Sequence, residues 1–496
     1  MGKDKVAKVH RVLGTPGRAA GALRTPAAEA AARQVKRQET LPRAEGYAKA
    51  RELGRALREK VPRSAQGVWE VQRERQTAVD LILSQDAERL PDLVSLRHER
   101  MAASPFAFFR GAALPMAADL ATLPSTDLIV QACGDAHIAN FGGYRSPESH
   151  LVFDLNDFDE TSRAPWEWDV KRLVASVAVC GRTRGFGEDW CARAARLAAS
   201  SYRHAMASFA DQGALEVWRT YIDMASVLDA LADEVSKADR RRVAADLARA
   251  FSKTNIRAFE KLVTQKDGAA SMVYDPPEIV PLEKFLSPSN VHHVRRALKR
   301  LLANYLTSLL PAYRQLLGNY ELIGIAQKVV GVGSVGTRCW VAVFTGTQVA
   351  DPLVIQVKEA APSVLERFCG ISRYASHGER VVQGQRLMQA TSDPLLGWGG
   401  ALDEQGHHRD YYARQLWSWK MSVDLDAASA DELEMYGQLC GWTLARAHAR
   451  SGDRGAIAGY LGKSDKFDRA LARFALAYAD QNEADYEQFL KRLGKG

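Results

Sequence analysis

CGDAHIANFG, residues 133–142, follows the apolar run DLIVQAC (127–133) and places Asp135, His137 and Asn140 on one turn. Packing alone gives a chain no reason to crowd an acid, an imidazole and an amide onto so short a loop. A second acidic stretch comes soon after, FDLNDFDE at 153–160. Asp157 lies in it, at the end of a strand-like segment. One carboxylate and one amide oxygen suit a hard cation such as Mg²⁺, which takes few protein ligands and fills its shell with water and phosphate oxygens. A further carboxylate can then orient a hydroxyl nucleophile or accept its proton. The turn therefore offers Asp135 and His137 for chemistry, and Asn140, Asp157 and Asp159 for metal. Asp154 is a third carboxylate in the same stretch, and carboxylates this close repel unless a cation or a proton relieves them. The bland alternative is a polar turn whose Asp and Asn cap backbone groups.

The second informative stretch is VVGVGSVGTRCW (329–340), in which Gly331, Gly333 and Gly336 form G-x-G-x-x-G around Ser334. A dinucleotide-binding turn must open a helix. TRCWVAVF instead continues in β-type residues, with Cys339, Val341 and Val343 alternating with Trp340 and Ala342. That favours two strands joined by a glycine-rich turn, where missing Cβ atoms let the backbone approach phosphates. PLVIQVKEA (352–360) follows, an apolar strand ending at Lys358. Lys358 is placed to reach donor phosphates and needs an acid to hold it. Glu379 is the candidate and Glu366 the alternative. SPFAFFRGAA (104–113) reads as a core-anchoring segment, with a position for Arg110 near a phosphate as a further reading.

The chain has 496 residues and a net charge of +8, and 46% of it is hydrophobic. Residues 1–63 hold 16 Lys/Arg against 6 Asp/Glu, which is +10, so the remainder is close to neutral. This reads as a solvated basic arm, partly helical or disordered. Contact with nucleic acid or an acidic membrane surface is the alternative. The six cysteines are scattered with no CxxC pair, as expected of reduced thiols in a cytoplasmic protein. No apolar run approaches the roughly 20 residues that span a bilayer. Periodicity divides the chain into an arm (1–65), a mainly helical region carrying both polar stretches (66–320), a β-rich region (321–425) and C-terminal helices (426–496). The fold class is α+β.

Taken together, these residues resemble the protein kinase-like superfamily, most closely its aminoglycoside and choline phosphotransferase branch. GDAHIAN (134–140) looks like that branch's H-G-D-x-H-x-x-N loop, with Cys133 where the first His would stand. NDFDETSRAPWEWDV (156–170) is similar to the stretch that carries its metal-binding Asp and then a helix-starting Asp; Asp157 and Asp169 match in type and spacing. The resemblance implies a two-lobed fold, a large helical lobe with a small antiparallel β-rich one. It implies ATP and Mg²⁺ as cofactors, Asp135 as base, Asn140 and Asp157 on the metal, and Lys358 on phosphate. It implies an ATP-dependent phosphotransferase acting on a small-molecule or protein acceptor. Nucleotidyl transfer, a non-catalytic nucleotide binder and a metal-dependent phosphoesterase are the alternatives. Residues from about 65 to 455 also resemble a bacterial domain-of-unknown-function family, number 2252, through RMAASPFAFFRG, CGDAHIANFGGY, FDLNDFDET, RVVQGQRLMQ and LARAHARSGD. That family's name implies no activity. In kinase-like chains the glycine loop and lysine precede the catalytic loop, whereas here Gly331 and Lys358 come long after Asp135. The order implies a circular permutation, with the 431–450 helix packing just ahead of the catalytic loop.

Overall fold

The computed structural model describes residues 45–224, 226, 255–266, 269–285, 291–329, 331–347, 351–403, 406–416 and 421–495. The basic arm expected over 1–65 therefore lies outside the described residues as far as residue 44. Its last part is helix α1 (Glu45–Lys60), which docks on the body: Arg58 donates to the carbonyls of Gly459 and Tyr460. The contact requires glycine, because a Cβ on Gly54 would fall on the Ala456 carbonyl. Helix α2 (Ala78–Asp86) starts on Thr77, whose hydroxyl accepts the Asp80 amide. Helix α3 (Pro91–Met101) opens on proline, and α4 (Pro105–Gly111) has both a Ser104 cap and a leading proline. These residues satisfy, or dispense with, the orphan amides of a first turn.

A small β unit follows. Strand β1 (Ile129–Ala132) is separated from its antiparallel partner β4 (Ser162–Pro165) by the hairpin β2 (Phe141–Arg145) and β3 (Leu151–Leu155). The two polar stretches are the connections of this unit. One leaves β1, the other leaves β3, and the ladders fix the distance between them. Helix α5 (Trp166–Thr183) continues directly from β4, and α6 (Glu188–Ala210) packs beside it. Val170, Leu173, Val174 and Val177 are all buried, as their spacing predicts, but so are Glu167, Asp169, Lys171 and Arg172. A helix buried all round leaves its charged residues no solvent, so each must find a partner.

The larger sheet is antiparallel and six-stranded, built from β5 (Ile279–Pro281), β6 (Tyr320–Lys328), β7 (Cys339–Gly346), β8 (Pro352–Glu359), β9 (Gly397–Leu402) and β10 (His408–Gln415) in the order β9-β10-β8-β7-β6-β5. Its edge strand β5 comes from a region whose pattern reads as helical, as does the separate hairpin Val263–Lys266 with Ala269–Met272. These strands are too short to display a period. Helix α7 (Val291–Ser308) covers β9, whose Gly397 and Gly399 lie against Tyr305 and Leu301. Helix α8 (His377–Met388) lies against β9 and β10, with Gly378 directly over the Tyr411 carbonyl.

Helix α9 (Ala430–Ser451) begins with a complete capping box, Ser429 with Glu432, and is followed by α10 (Arg454–Leu461) and α11 (Lys466–Arg492). Leu433, Tyr436, Cys440, Leu444 and Ala447 share a buried face of α9, and the helix packs on α6 and α5. Trp166 stacks on Tyr202 in this core, ring centroids 5.6 Å apart. The fold is mixed α+β with antiparallel sheets, as the sequence implies. No helix among the described residues is long and apolar enough to cross a membrane, and all six cysteines are free thiols.

Asp154 has a structural position. It is fully buried at the end of β3, 2.6 Å from Arg446 of α9, and accepts the Ala390 amide at 2.7 Å. Replacing it with Ala strands Arg446, itself 1% exposed. The expected loss is about 3–5 kcal/mol of unfolding free energy, the usual cost of breaking a buried pair from one side, read from urea titrations.

Candidate functional site

Asp169, in the first turn of α5, positions the first polar turn. Its carboxylate accepts the backbone amides of Cys133 at 2.6 Å and Gly134 at 2.9 Å. His448 of α9 reaches the same carboxylate with Nε2 at 3.1 Å, and the Tyr202 hydroxyl sits 2.9 Å from its Nδ1. Gly134 is required here twice over. Its φ is +83°, and a Cβ would lie 2.2 Å from the Glu160 carbonyl oxygen. The end of α9 meets β1 just ahead of this turn, where the Ser451 hydroxyl accepts the Gln131 amide at 3.2 Å.

Beyond Gly134 the turn aims its side chains. Asp135 pairs through Oδ1 with the guanidinium of Arg172, one turn along α5 from Asp169. Arg172 also donates to the Phe109 carbonyl at 3.0 Å and lies 4.5 Å from the centre of that ring. His137 has Nε2 3.5 Å from Asp135 Oδ2. Burial, with the charges of Arg110 and Arg172, holds its pKa well below the usual imidazole value, so it is neutral. Asn140 ends a short 3₁₀ turn and donates its side-chain amide to the Asp135 carbonyl at 2.7 Å. Its side-chain oxygen has no hydrogen-bond partner among the described residues. Its backbone carbonyl accepts the Asn156 amide at 2.9 Å, which ties the two polar connections together.

The second connection meets the larger sheet. Lys358, at the end of β8, places Nζ 2.9 Å from Asp159 Oδ2 and 3.7 Å from Asp157 Oδ2. The Tyr412 hydroxyl of β10 donates to the other Asp159 oxygen at 2.6 Å, and the Ser334 hydroxyl of the glycine turn to the first at 3.3 Å. The structure thus brings together Asp135, His137, Asn140, Asp157, Asp159, Ser334 and Lys358, drawn from chain segments far apart in sequence. The expected partners of Lys358 lie elsewhere. Glu379 sits in the first turn of α8, where the Ser376 hydroxyl accepts its amide at 3.1 Å and its carboxylate accepts the Ala375 amide at 3.2 Å. Ser376-x-x-Glu379 is a capping-box spacing, so the helix-starting role was readable. Glu366 lies 3.4 Å from Arg380.

Electrostatics separates the two acids. Burial pushes the Asp157 carboxyl up, and the neighbouring charge of Asp159 adds to that. Burial pushes the same way on Asp159, but Lys358 and the Tyr412 hydroxyl outweigh it and hold this carboxyl below its usual range. Burial acts to lower Lys358, yet Asp157 and Asp159 hold it well above its ordinary value. Both oxygens of Asp159 are engaged, and Asp157 is the freer carboxylate. Among the described residues no group of three or more His, Cys, Asp and Glu side chains is arranged to hold a metal ion. The donors available here are the Asp157 carboxylate and the unpartnered amide oxygen of Asn140, both hard oxygens that fit Mg²⁺ with its remaining ligands from water and phosphate.

The glycine turn is fastened from behind. Arg100 donates to the Gly331 carbonyl at 2.8 Å, Arg89 to that of Val335, and the Leu90 amide to that of Gly336 at 2.8 Å. Gly331 and Gly336 have φ of +70° and +90°, backbone that favours glycine. Several site residues carry no readable signal. Tyr412 belongs to an ordinary alternating strand. Arg380 donates to the carbonyls of Asp159, Thr161 and Ala361 from a helix whose solvent and site faces look alike in sequence. It also lines a cavity of about 340 Å³ together with Gln131, Ser162, Arg163 and Arg373. Arg172 was findable as a charge inside a helix too apolar to have an exposed face.

Glu160 closes the second connection, accepting the Val364 amide at 2.7 Å. Burial pushes its pKa up to about 7, and the charges of Asp135 and Asp159 contribute. A carboxyl raised in the folded state binds its proton more tightly there, so its favourable contribution is complete below the unfolded pKa near 4.5 and is lost as pH rises to about 7. Glu160→Gln should therefore be more stable than the wild type at pH 8, by on the order of 1 kcal/mol, and close to it at pH 4.5. Melting temperatures across pH 4.5–8 check this.

The model of a family described as "Uncharacterized protein conserved in bacteria (DUF2252)" covers residues 89–492. No curated protein and no solved structure matches the chain. The matched span holds both polar connections, the glycine turn, Lys358 and the helix carrying His448, and the chain belongs to this bacterial family of uncharacterized proteins.

Proposed function

We propose that the protein is an ATP- and Mg²⁺-dependent phosphotransferase of kinase-like, circularly permuted, two-lobed architecture, acting on a hydroxyl-bearing acceptor. The observation that carries this reading is the Lys358 ammonium, 2.9 Å from Asp159 and 3.7 Å from Asp157. It joins the end of a strand that follows a glycine turn to an acidic connection from a much earlier part of the chain. Had these groups lain on opposite faces, no shared phosphate site would exist.

Each residue has a task in this reading. Lys358 and Ser334 now contact Asp159, and they exchange that contact for donor phosphate oxygens. Gly331, Gly333 and Gly336 let the backbone come close to those oxygens. Asn140 and Asp157 would hold Mg²⁺, which when bound neutralises phosphate charge. Arg172 fixes Asp135 through Oδ1, and Oδ2, which accepts only a long 3.5 Å bond from the Asn140 amide, orients the acceptor hydroxyl and takes its proton. His137, neutral and buried, supports that carboxylate. Catalysis in such a site is mainly positioning and charge neutralisation.

The test uses ATP labelled at the γ or the α phosphate, with the full-length chain and Mg²⁺. Label leaving from the γ position supports phosphoryl transfer or hydrolysis, whereas covalent attachment of α label would mean nucleotidyl transfer on the same frame. Asp135→Asn is expected to lower turnover about 10²–10⁴-fold while still binding nucleotide. Asp157→Asn is expected to weaken Mg²⁺-dependent binding itself. Saturating Mg·ATP, at about 100 times Kd, should stabilise the wild type by about 2.7 kcal/mol. Absence of any shift with millimolar Mg·ATP would overturn the proposal.

A further inference from the structure

We propose that Arg110 is an anion-binding residue that receives the terminal phosphate of the donor. This rests on the phosphotransferase reading above and adds to it a cation from a segment outside the glycine turn and the two polar connections.

The cations around the site divide sharply. Lys358 is held by Asp159 and Asp157, and Arg172 by Asp135 and the Phe109 carbonyl. Arg414 donates to the Asn156 carbonyl at 2.9 Å and to Gln356 at 3.3 Å, and Arg380 to three carbonyls. Arg110 differs from all of these. Its side chain makes no hydrogen bond or ion pair among the described residues, and its Nε is buried without a partner. It is nonetheless inside the site. Burial works against its charge, and the charges that favour it are those of Asp135, Asp426 and Asp157. Its own charge helps to keep His137 neutral. The glycine turn comes down on the same residue, since a Cβ on Gly333 would lie 3.3 Å from the Arg110 carbonyl oxygen.

A half-buried guanidinium of this kind has lost water and gained no hydrogen bond in exchange. Its planar fork of N–H donors matches two oxygens of a phosphate at once. Among the carboxylates whose charge acts on it are those assigned to the metal and the acceptor hydroxyl. Position 110, the last turn of α4, is where SPFAFFRG directs a charged residue out of a run of buried phenylalanines.

Titration calorimetry of ATP, ADP and AMP against the full-length wild type, Arg110→Gln and Arg110→Lys tests this. Arg110→Gln should weaken ATP at least tenfold, ADP less, and AMP not at all, with Arg110→Lys intermediate and the melting temperatures of both close to the wild type. That gradation with phosphate number is something a merely structural arginine would not produce. Equal ATP affinity in Arg110→Gln and the wild type overturns the assignment and leaves the phosphotransferase reading standing. So does an equal loss for ATP and AMP. If the wild type binds no nucleotide but binds tripolyphosphate in an Arg110-dependent way, the nucleotide reading falls and the anion site stands. If it binds neither, both fall. Should Arg110→Gln fail to fold, Arg110→Lys carries the same comparison.

Discussion

A carboxylate enclosed in protein, with N–H groups arranged around it, organises this molecule. Asp169 has lost its water and recovers it as two backbone amides and an imidazole. The acid stands on α5, the amides belong to the turn after β1, and the imidazole comes from α9 near the other end of the chain. Removing any one leaves a buried charge short of donors, so the three segments are stable only together. The turn that displays Asp135 and Asn140 is thus shaped less by its own residues than by an acid at the start of the following long helix. The same logic recurs in the Arg446–Asp154 pair, which fastens α9 to β3 below the second connection.

The helices and most strands could be read from the sequence because their residues declare a period or a cap. The strand-like runs DLIVQAC (127–133) and PLVIQVKEA (352–360), the two strands expected around the glycine turn and the helix expected at 431–450 are of this kind. The acids and the lysine were readable because unusual residue types crowd short connections. What escaped was of two sorts. Very short strands, Ile279–Pro281 among them, have no room for a pattern. Pairings across the chain have no local sign at all. Nothing near Lys358 says that its acid is Asp159 instead of Glu379, because the choice depends on how a sheet settles onto a loop from a remote part of the sequence. Asp154, Asp157 and Asp159 look alike in sequence and differ completely in surroundings. Asp154 is locked to an arginine, Asp159 is bound to a lysine and a tyrosine, and Asp157 is left comparatively free.

Chain order and spatial order part company here. The glycine turn and lysine follow the acidic connections in sequence, while α9, the penultimate long helix, ends against the strand that leads into the first polar turn. A core assembled from both ends of a chain gains little from local contacts and must close long loops before its central contacts form. Burial of α5, α6, α9 and α11 against one another supplies the apolar area that makes such closure worthwhile.

A turn this rich in glycine is pliable when nothing holds it. In this protein three of its carbonyls are latched to Arg89, Leu90 and Arg100. A flap so fastened cannot swing by itself; α3 and the segment ahead of it travel with it or the latches break. If this turn covers a phosphate as proposed, admission of that ligand would be mechanically coupled to the helical shell behind it, and whatever grips or loosens the shell would act as a throttle on the site.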